Sequence, residues 1–259
     1  MPVLYDKKGQ LAIFIIIAVI IIALGILVYI FYPQISSTLG IAEQDPNLFI
    51  QTCMEDEIKS NIERLSLQGG FLNPSHYILY MDEKIQYLCY TENYYNTCVV
   101  QKPFLKKQIE SELKKEIEDE ARVCFDEMKS SFEKRGYDVT IKEGDISVKL
   151  LPQKIVSIFN YTATMEKTET KRYESFNIIL DNNLYELVEI ADSIVDWEST
   201  YGDADSMFYM SLYHNLKVEK RKPEYGTTVY ILTERDTGIK FQFASRSVVF
   251  PPGYGIEQA

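Results

Sequence analysis

The sequence predicts an α+β ectodomain carried on one N-terminal transmembrane helix, with a helical, disulfide-bonded part followed by an antiparallel, strand-rich part. Three observations predict it. Residues Leu11–Tyr32 contain no charged side chain, and the stretch 46–136 carries two amphipathic helical stripes that each hold a cysteine. From Tyr137 onward the apolar residues recur mainly at every second position, the period of a strand.

The head, residues 1–10, is short and basic, with Lys7 and Lys8 just ahead of the apolar run. Nine of the 22 residues in 11–32 are isoleucine, a weak helix former, yet lipid forces the helix because every backbone amide must be satisfied internally. As a helix the run reaches roughly 33 Å, against a hydrocarbon core of about 30 Å. Tyr29, Phe31 and Tyr32 fall at the far end, where aromatic rings favour the lipid–water interface. The two lysines place the head in the cytoplasm and the chain after Pro33 outside. A cleaved secretory signal has a shorter apolar core of about 7–15 residues and a small-x-small site, and neither is present. Membrane lipid is therefore an expected partner, through residues 11–32.

The order Lys7-Lys8-Gly9-Gln10, followed directly by the apolar run, resembles the archaeal class III signal peptide of type IV pilin-like proteins. That resemblance implies cleavage between Gly9 and Gln10 by a dedicated peptidase, which leaves the apolar helix on the mature chain, free to enter a filament core. Many members carry serine and glutamate where this chain has Ala12 and Phe14, and the glutamate registers a subunit on its neighbour. Its absence argues against a major pilin, as does Pro33, which disfavours an unbroken helix into the ectodomain. A Cys-bearing helix ending in LQGGFL, then YLCY and a second Cys-bearing helix, is also similar to uncharacterised single-pass archaeal surface proteins. No known activity comes with that likeness.

Residues 33–45 form a polar spacer, and Asp45-Pro46 gives a helix start, with Asp45 as N-cap and Pro46 in the first position. Ile50, Met54, Ile58, Ile62 and Leu65 make an apolar stripe with Cys53 on its edge, and Gly69-Gly70 ends the helix. HYILYMDEKIQYLCY reads as a hairpin turning at Met81-Asp82-Glu83-Lys84. A second helix spans about 103–135, with Leu105, Ile109, Leu113, Ile117, Ala121, Cys124, Met128 and Phe132 on one stripe and Gly136 as C-cap.

The four cysteines, Cys53, Cys89, Cys98 and Cys124, all lie beyond the apolar run, and an even count outside the membrane points to two disulfides. Of three connectivities the nested one is expected, Cys89–Cys98 inside Cys53–Cys124. Packing the two helical stripes together brings Cys53 to Cys124, and the tyrosine-rich loop CYTENYYNTC closes on itself.

In the strand-rich part, 137–250, DVTIK and ISVKLL read as a hairpin around Glu143-Gly144-Asp145, and Ile155–Thr164 as one further strand. Phe176, Ile178 and Leu180 alternate in another. A helix follows, with Leu184, Leu187, Val188, Ala191, Ile194 and Val195 on one face and then Trp197; SMFYMSLYHN makes a short helix. NLKVEKR, TTVYILTE and IKFQFASRSVVF are the last strands, and 251–259 a loose tail.

Composition excludes some functions. A net charge of −11 opposes nucleic acid and anionic lipid as partners. No GxSxG, SxxK, GxGxxG or P-loop pattern occurs, and His76 and His214 have no ligand-like spacing with a cysteine, so no catalytic residue, cofactor or metal site is assigned. Asp203 and Asp205 in GDADS lack the rest of a calcium loop and read as helix caps. Lys217, Lys220, Arg221 and Lys222 form a basic cluster ahead of a hairpin turn, and Asn160-Tyr161-Thr162 is an N-glycosylation sequon lying in a predicted strand. The expected function is a structural or interaction role at the cell surface, with neighbouring surface or filament subunits as partners. A minor pilin-like filament subunit is the alternative, and an extracytoplasmic enzyme a distant third.

Overall fold

The computed structural model describes Ile21, residues 45–224 and residues 226–248. The Gly9–Gln10 junction, the expected span 11–32 apart from Ile21, the spacer up to residue 44 and the tail 251–259 lie outside the described residues. Among the described residues no helix is long and apolar enough to cross a membrane. The chain divides into two units, Met1–Leu48 and Phe49–Ala259. In the first, Asp45 Oδ1 accepts the Asn47 N–H at 3.0 Å, the N-cap bond expected ahead of Pro46.

Helix α1 (Pro46–Leu67) buries the expected stripe Ile50, Met54, Ile58, Ile62 and Leu65. It stops at Gly69 and Gly70, both at positive φ, where the Gly70 N–H donates to the Leu65 carbonyl. Strands β1 (Tyr77–Tyr80) and β2 (Glu83–Tyr90) make the expected hairpin, with Met81 and Asp82 both left-handed in its two-residue turn. After β3 (Val99–Val100), helix α2 (Leu105–Glu133) buries all eight expected stripe residues and also Phe125. Cys53 is bonded to Cys124 and, a few turns along, Arg64 pairs with Glu116 at 2.7 Å, so α1 and α2 run antiparallel.

Residues 138–181 differ from expectation. They form three antiparallel strands that each break once: β4 (Asp138–Lys142) and β5 (Ile146–Leu151), β6 (Lys154–Phe159) and β7 (Thr162–Glu166), then β8 (Thr170–Tyr173) and β9 (Phe176–Asp181). β4–β7–β8 is one small sheet and β5–β6–β9 another. The expected β4–β5 hairpin is therefore not formed, and the strand expected over Ile155–Thr164 is two strands in different sheets. The hairpin turn is instead Pro152-Gln153, between β5 and β6. The register explains the break. Lys142 faces Thr162 and Ile146 faces Phe159, so residues 143–145 oppose only 160–161 and the ribbon must bend. At the bend the Asn160 N–H donates to the Asp145 carbonyl at 3.0 Å, and a Cβ on Gly144 would lie 1.9 Å from the Asn160 carbonyl oxygen. Gly144 is a close-approach residue, not the centre of a hairpin. Phe125 of α2 fills the bend, with ring centroids 4.4 Å from Tyr161 and 5.0 Å from Phe176.

Helix α3 (Leu184–Tyr201) and the short α4 (Ser206–Leu212) lead into β10 (Leu216–Arg221), β11 (Thr227–Glu234) and β12 (Lys240–Arg246). The main sheet has the order β1–β2–β12–β11–β10, with β3 on β2, so strands from 46–136 and from 137–250 share it. β12 joins β2 in parallel, the other pairs being antiparallel. Tyr230, Leu232, Phe241 and Phe243 line the face that carries the main core, beside α3. The opposite face holds a smaller cluster of Ile78, Ile85, Tyr87, Val229 and Ala244.

Candidate functional site

The most ordered concentration of polar chemistry lies where the last turns of α3 meet β11 and β12. The apolar stripe of α3 runs through Leu187, Ala191, Ile194 and Val195, and its next helical step is Glu198, which is only 2% exposed. Each of its oxygens is occupied. Tyr230 Oη donates to Oε1, the Ala204 N–H donates to the same oxygen at 3.1 Å, and Ser245 Oγ donates to Oε2 at 3.0 Å.

The sequence builds this locally. A left-handed Gly202 ends α3 and turns the chain so that the Ala204 amide comes back under Glu198. A register shift between Ala244 and Ser245 on β12 sets the strand around the buried Ser245 hydroxyl, and bulges of this kind commonly re-aim a side chain. The Ser247 hydroxyl accepts the Cys98 N–H at 3.2 Å, and Cys98 Sγ lies 3.6 Å from Ser245 Oγ. The network is thereby joined to the base of the disulfide loop. On its outer side Lys220 reaches Asp203 Oδ1 at 2.6 Å and the Ala204 carbonyl, with its ammonium 5.5 Å from the Tyr230 ring centroid.

Burial pushes the Glu198 carboxyl up from its ordinary range, against the hydrogen bonds that favour its charged form. Burial, reinforced by the Glu198 charge, pushes the Tyr230 phenol up as well. The phenol therefore stays protonated and remains a donor. Three donors from the protein converge on the Glu198 carboxyl, two on Oε1 and one on Oε2. The arrangement ties α3, the α3–α4 link, two strands and the disulfide loop into one buried knot.

The residues singled out in the sequence fall elsewhere. The structure contains the nested disulfides, Cys53–Cys124 and Cys89–Cys98, with Cα separations of 6.0 and 5.3 Å, and no free cysteine. Asn160 is exposed at the ribbon bend between β6 and β7, so the sequon does not lie inside a strand as expected. Asp205 caps α4 by accepting the Met207 N–H at 2.8 Å, while Asp203 pairs with Lys220. Lys217 and Arg221 flank Glu219 at 2.9 and 2.6 Å, which offsets much of the basic cluster ahead of the β10–β11 turn. His76 packs against Tyr87 and Tyr90, whereas His214 is exposed after α4. Among the described residues no three His, Cys, Asp or Glu side chains group in a way that would hold a metal ion.

Sequence reasoning missed Glu198. The signal was present, because a carboxylate continuing an apolar helical stripe must be buried or distort the helix packing. No protein-family model, curated protein or solved structure matches this chain. Its own residues therefore carry the functional reading.

Proposed function

We propose that the chain is a single-pass, N-in membrane protein that displays its α+β domain outside the membrane in a structural or interaction role, not a catalytic one. The observation that carries this reading is the pairing of all four cysteines into two disulfides with no thiol left over. Such bonds persist in oxidising compartments and not in a reducing cytosol. The uncharged run 11–32 supplies the anchor, and Lys7 and Lys8 its orientation. An exposed Asn160 fits an acceptor for a glycan on that side.

A second reading rests on Lys7-Lys8-Gly9-Gln10: a minor pilin-like subunit cleaved between Gly9 and Gln10. Alkaline carbonate extraction of native membranes tests the anchor, which is sunk by release into the supernatant. Intact mass separates the two readings, since a mature start at Gln10 supports the cleaved subunit and an intact Met1 removes it. Comparing wild type with N160Q in the same spectra reads glycan occupancy.

A further inference from the structure

The outward surface of the α3–α4 corner is apolar. α4 turns Tyr209 inward, its hydroxyl 3.0 Å from Ser193 Oγ on α3. The opposite side of this short helix is Met207, Phe208, Ser211 and Leu212, and its three apolar side chains are 69%, 51% and 55% exposed. The surface continues onto α3. Trp197 donates its indole N–H to the Asp203 carbonyl in the α3–α4 link and packs on Tyr201 at 4.6 Å between centroids, both rings exposed. The Lys220 bonds to Asp203 and Ala204 hold that link in place, so the patch is preformed.

Beside it, Glu189, Asp192 and Asp196 recur at helical spacing on α3, and none of the three forms an ion pair with a described residue. The Asp192 carboxyl is pushed up to about 6, by burial first and then by the charges of Glu189 and Asp196. Asp196 also acts on Tyr209, which puts this acidic row against α4.

An exposed aromatic patch edged by unpaired negative charge selects among occupants. A second copy would set one acidic row against another, and an anionic lipid surface would be repelled in the same way. Lysine and arginine flanking apolar side chains complement both parts of the surface. We propose that the α3–α4 corner is the docking face of the ectodomain for a protein segment of cationic, amphipathic character. This inference rests on the displayed-domain reading above, but its test does not depend on where the chain is anchored.

Trp197 is the only tryptophan in the chain and sits in the patch, so its emission reports occupancy. Full-length protein in a nonionic detergent is titrated with a tryptophan-free Lys/Leu peptide of helical periodicity, alongside a Glu/Leu counterpart of the same pattern. The expected result is a saturable blue shift with the Lys/Leu peptide alone, weakened by salt. Combined F208S and L212S should weaken binding about tenfold or more, since apolar anchors dominate such interfaces. Combined E189Q, D192N and D196N should weaken it without lowering the urea midpoint. No shift, an equal response to the Glu/Leu peptide, or indifference to both variant sets overturns the proposal. A shift that grows with protein concentration alone assigns the face to a second copy, and one produced by phosphatidylglycerol vesicles alone assigns it to lipid; either also overturns it. Failure of carbonate extraction to retain the protein would undo the anchor reading and leave this titration unaffected.

Discussion

The Tyr230 hydroxyl on β11 donates to the Glu198 carboxylate on α3, and both side chains lie inside the core. Three donors converge on that carboxyl and offset part of the cost of burying it. Removing the acceptor leaves the Tyr230 hydroxyl, the Ser245 hydroxyl and the Ala204 amide buried without their partner. E198A is expected to lose about 2–4 kcal/mol of stability in urea unfolding, with E198Q losing less because an amide oxygen can still accept. An E198A midpoint equal to wild type would mean the knot contributes nothing.

The same pair sets a pH dependence whose sign can be worked out. Burial raises the folded pKa of Glu198. Its contribution is complete below the unfolded value of about 4.3 and is lost as pH rises through the raised folded value. Tyr230 is also raised, so its contribution holds below about 10 and declines above that. The advantage of wild type over E198Q in urea midpoint should be largest at low pH and shrink as pH rises through the raised value of Glu198.

The two disulfides close loops of different length, with sequence separations of 71 and 9. On the chain-entropy model Cys53–Cys124 contributes about 4 kcal/mol and Cys89–Cys98 about 2.5 kcal/mol. C53A with C124A should therefore lower the urea midpoint more than C89A with C98A. The reverse order would show that the short loop acts mainly through its contacts with Ser245 and Ser247 and not through chain entropy.

Why the helices were legible and the ribbon was not comes down to the range of the contacts that decide each. The α1 and α2 stripes are written at local spacing, and once Ile50–Leu65 and Leu105–Phe132 are packed together the meeting of Cys53 and Cys124 follows. The Met81-Asp82 turn is local too. Glu143-Gly144-Asp145 looked equally turn-like, but what fixes Gly144 is the Asn160 carbonyl, sixteen residues on, which no local pattern encodes. The parallel pairing of β12 with β2 is more distant still. Glu198 was legible at the same local range, one helical step beyond Ile194 and Val195, whereas Trp197 beside it lies off the buried stripe and is exposed.

Gly144 gives a direct check of the bend. Its missing Cβ would meet backbone, which cannot yield as a side chain tip can. G144A is expected to cost about 2–4 kcal/mol, because the ribbon must open where Phe125 packs. Gly238 is the control: nothing lies within 4 Å of its Cβ position, and only its φ of +75° penalises a side chain. G238A should cost about 1 kcal/mol. Equal losses in chemical denaturation would mean that the β4–β7 and β5–β6 ribbon does not bend at Gly144.

Asp192 provides the last and most local test. Its carboxyl is raised to about 6, chiefly by burial and then by Glu189 and Asp196. A raised acid supports the fold fully below its unfolded value of about 3.9 and loses that support as pH climbs through about 6. D192N removes the titration, so relative to wild type the variant should gain stability between pH 4 and 7 and level off above. D196N removes one of the repelling charges and should lower the Asp192 pKa, moving the window toward acid. Carboxyl carbon shifts followed by NMR read that pKa directly. An Asp192 midpoint near 4 would show that the row is well solvated and that neither burial nor its neighbours raise this carboxyl.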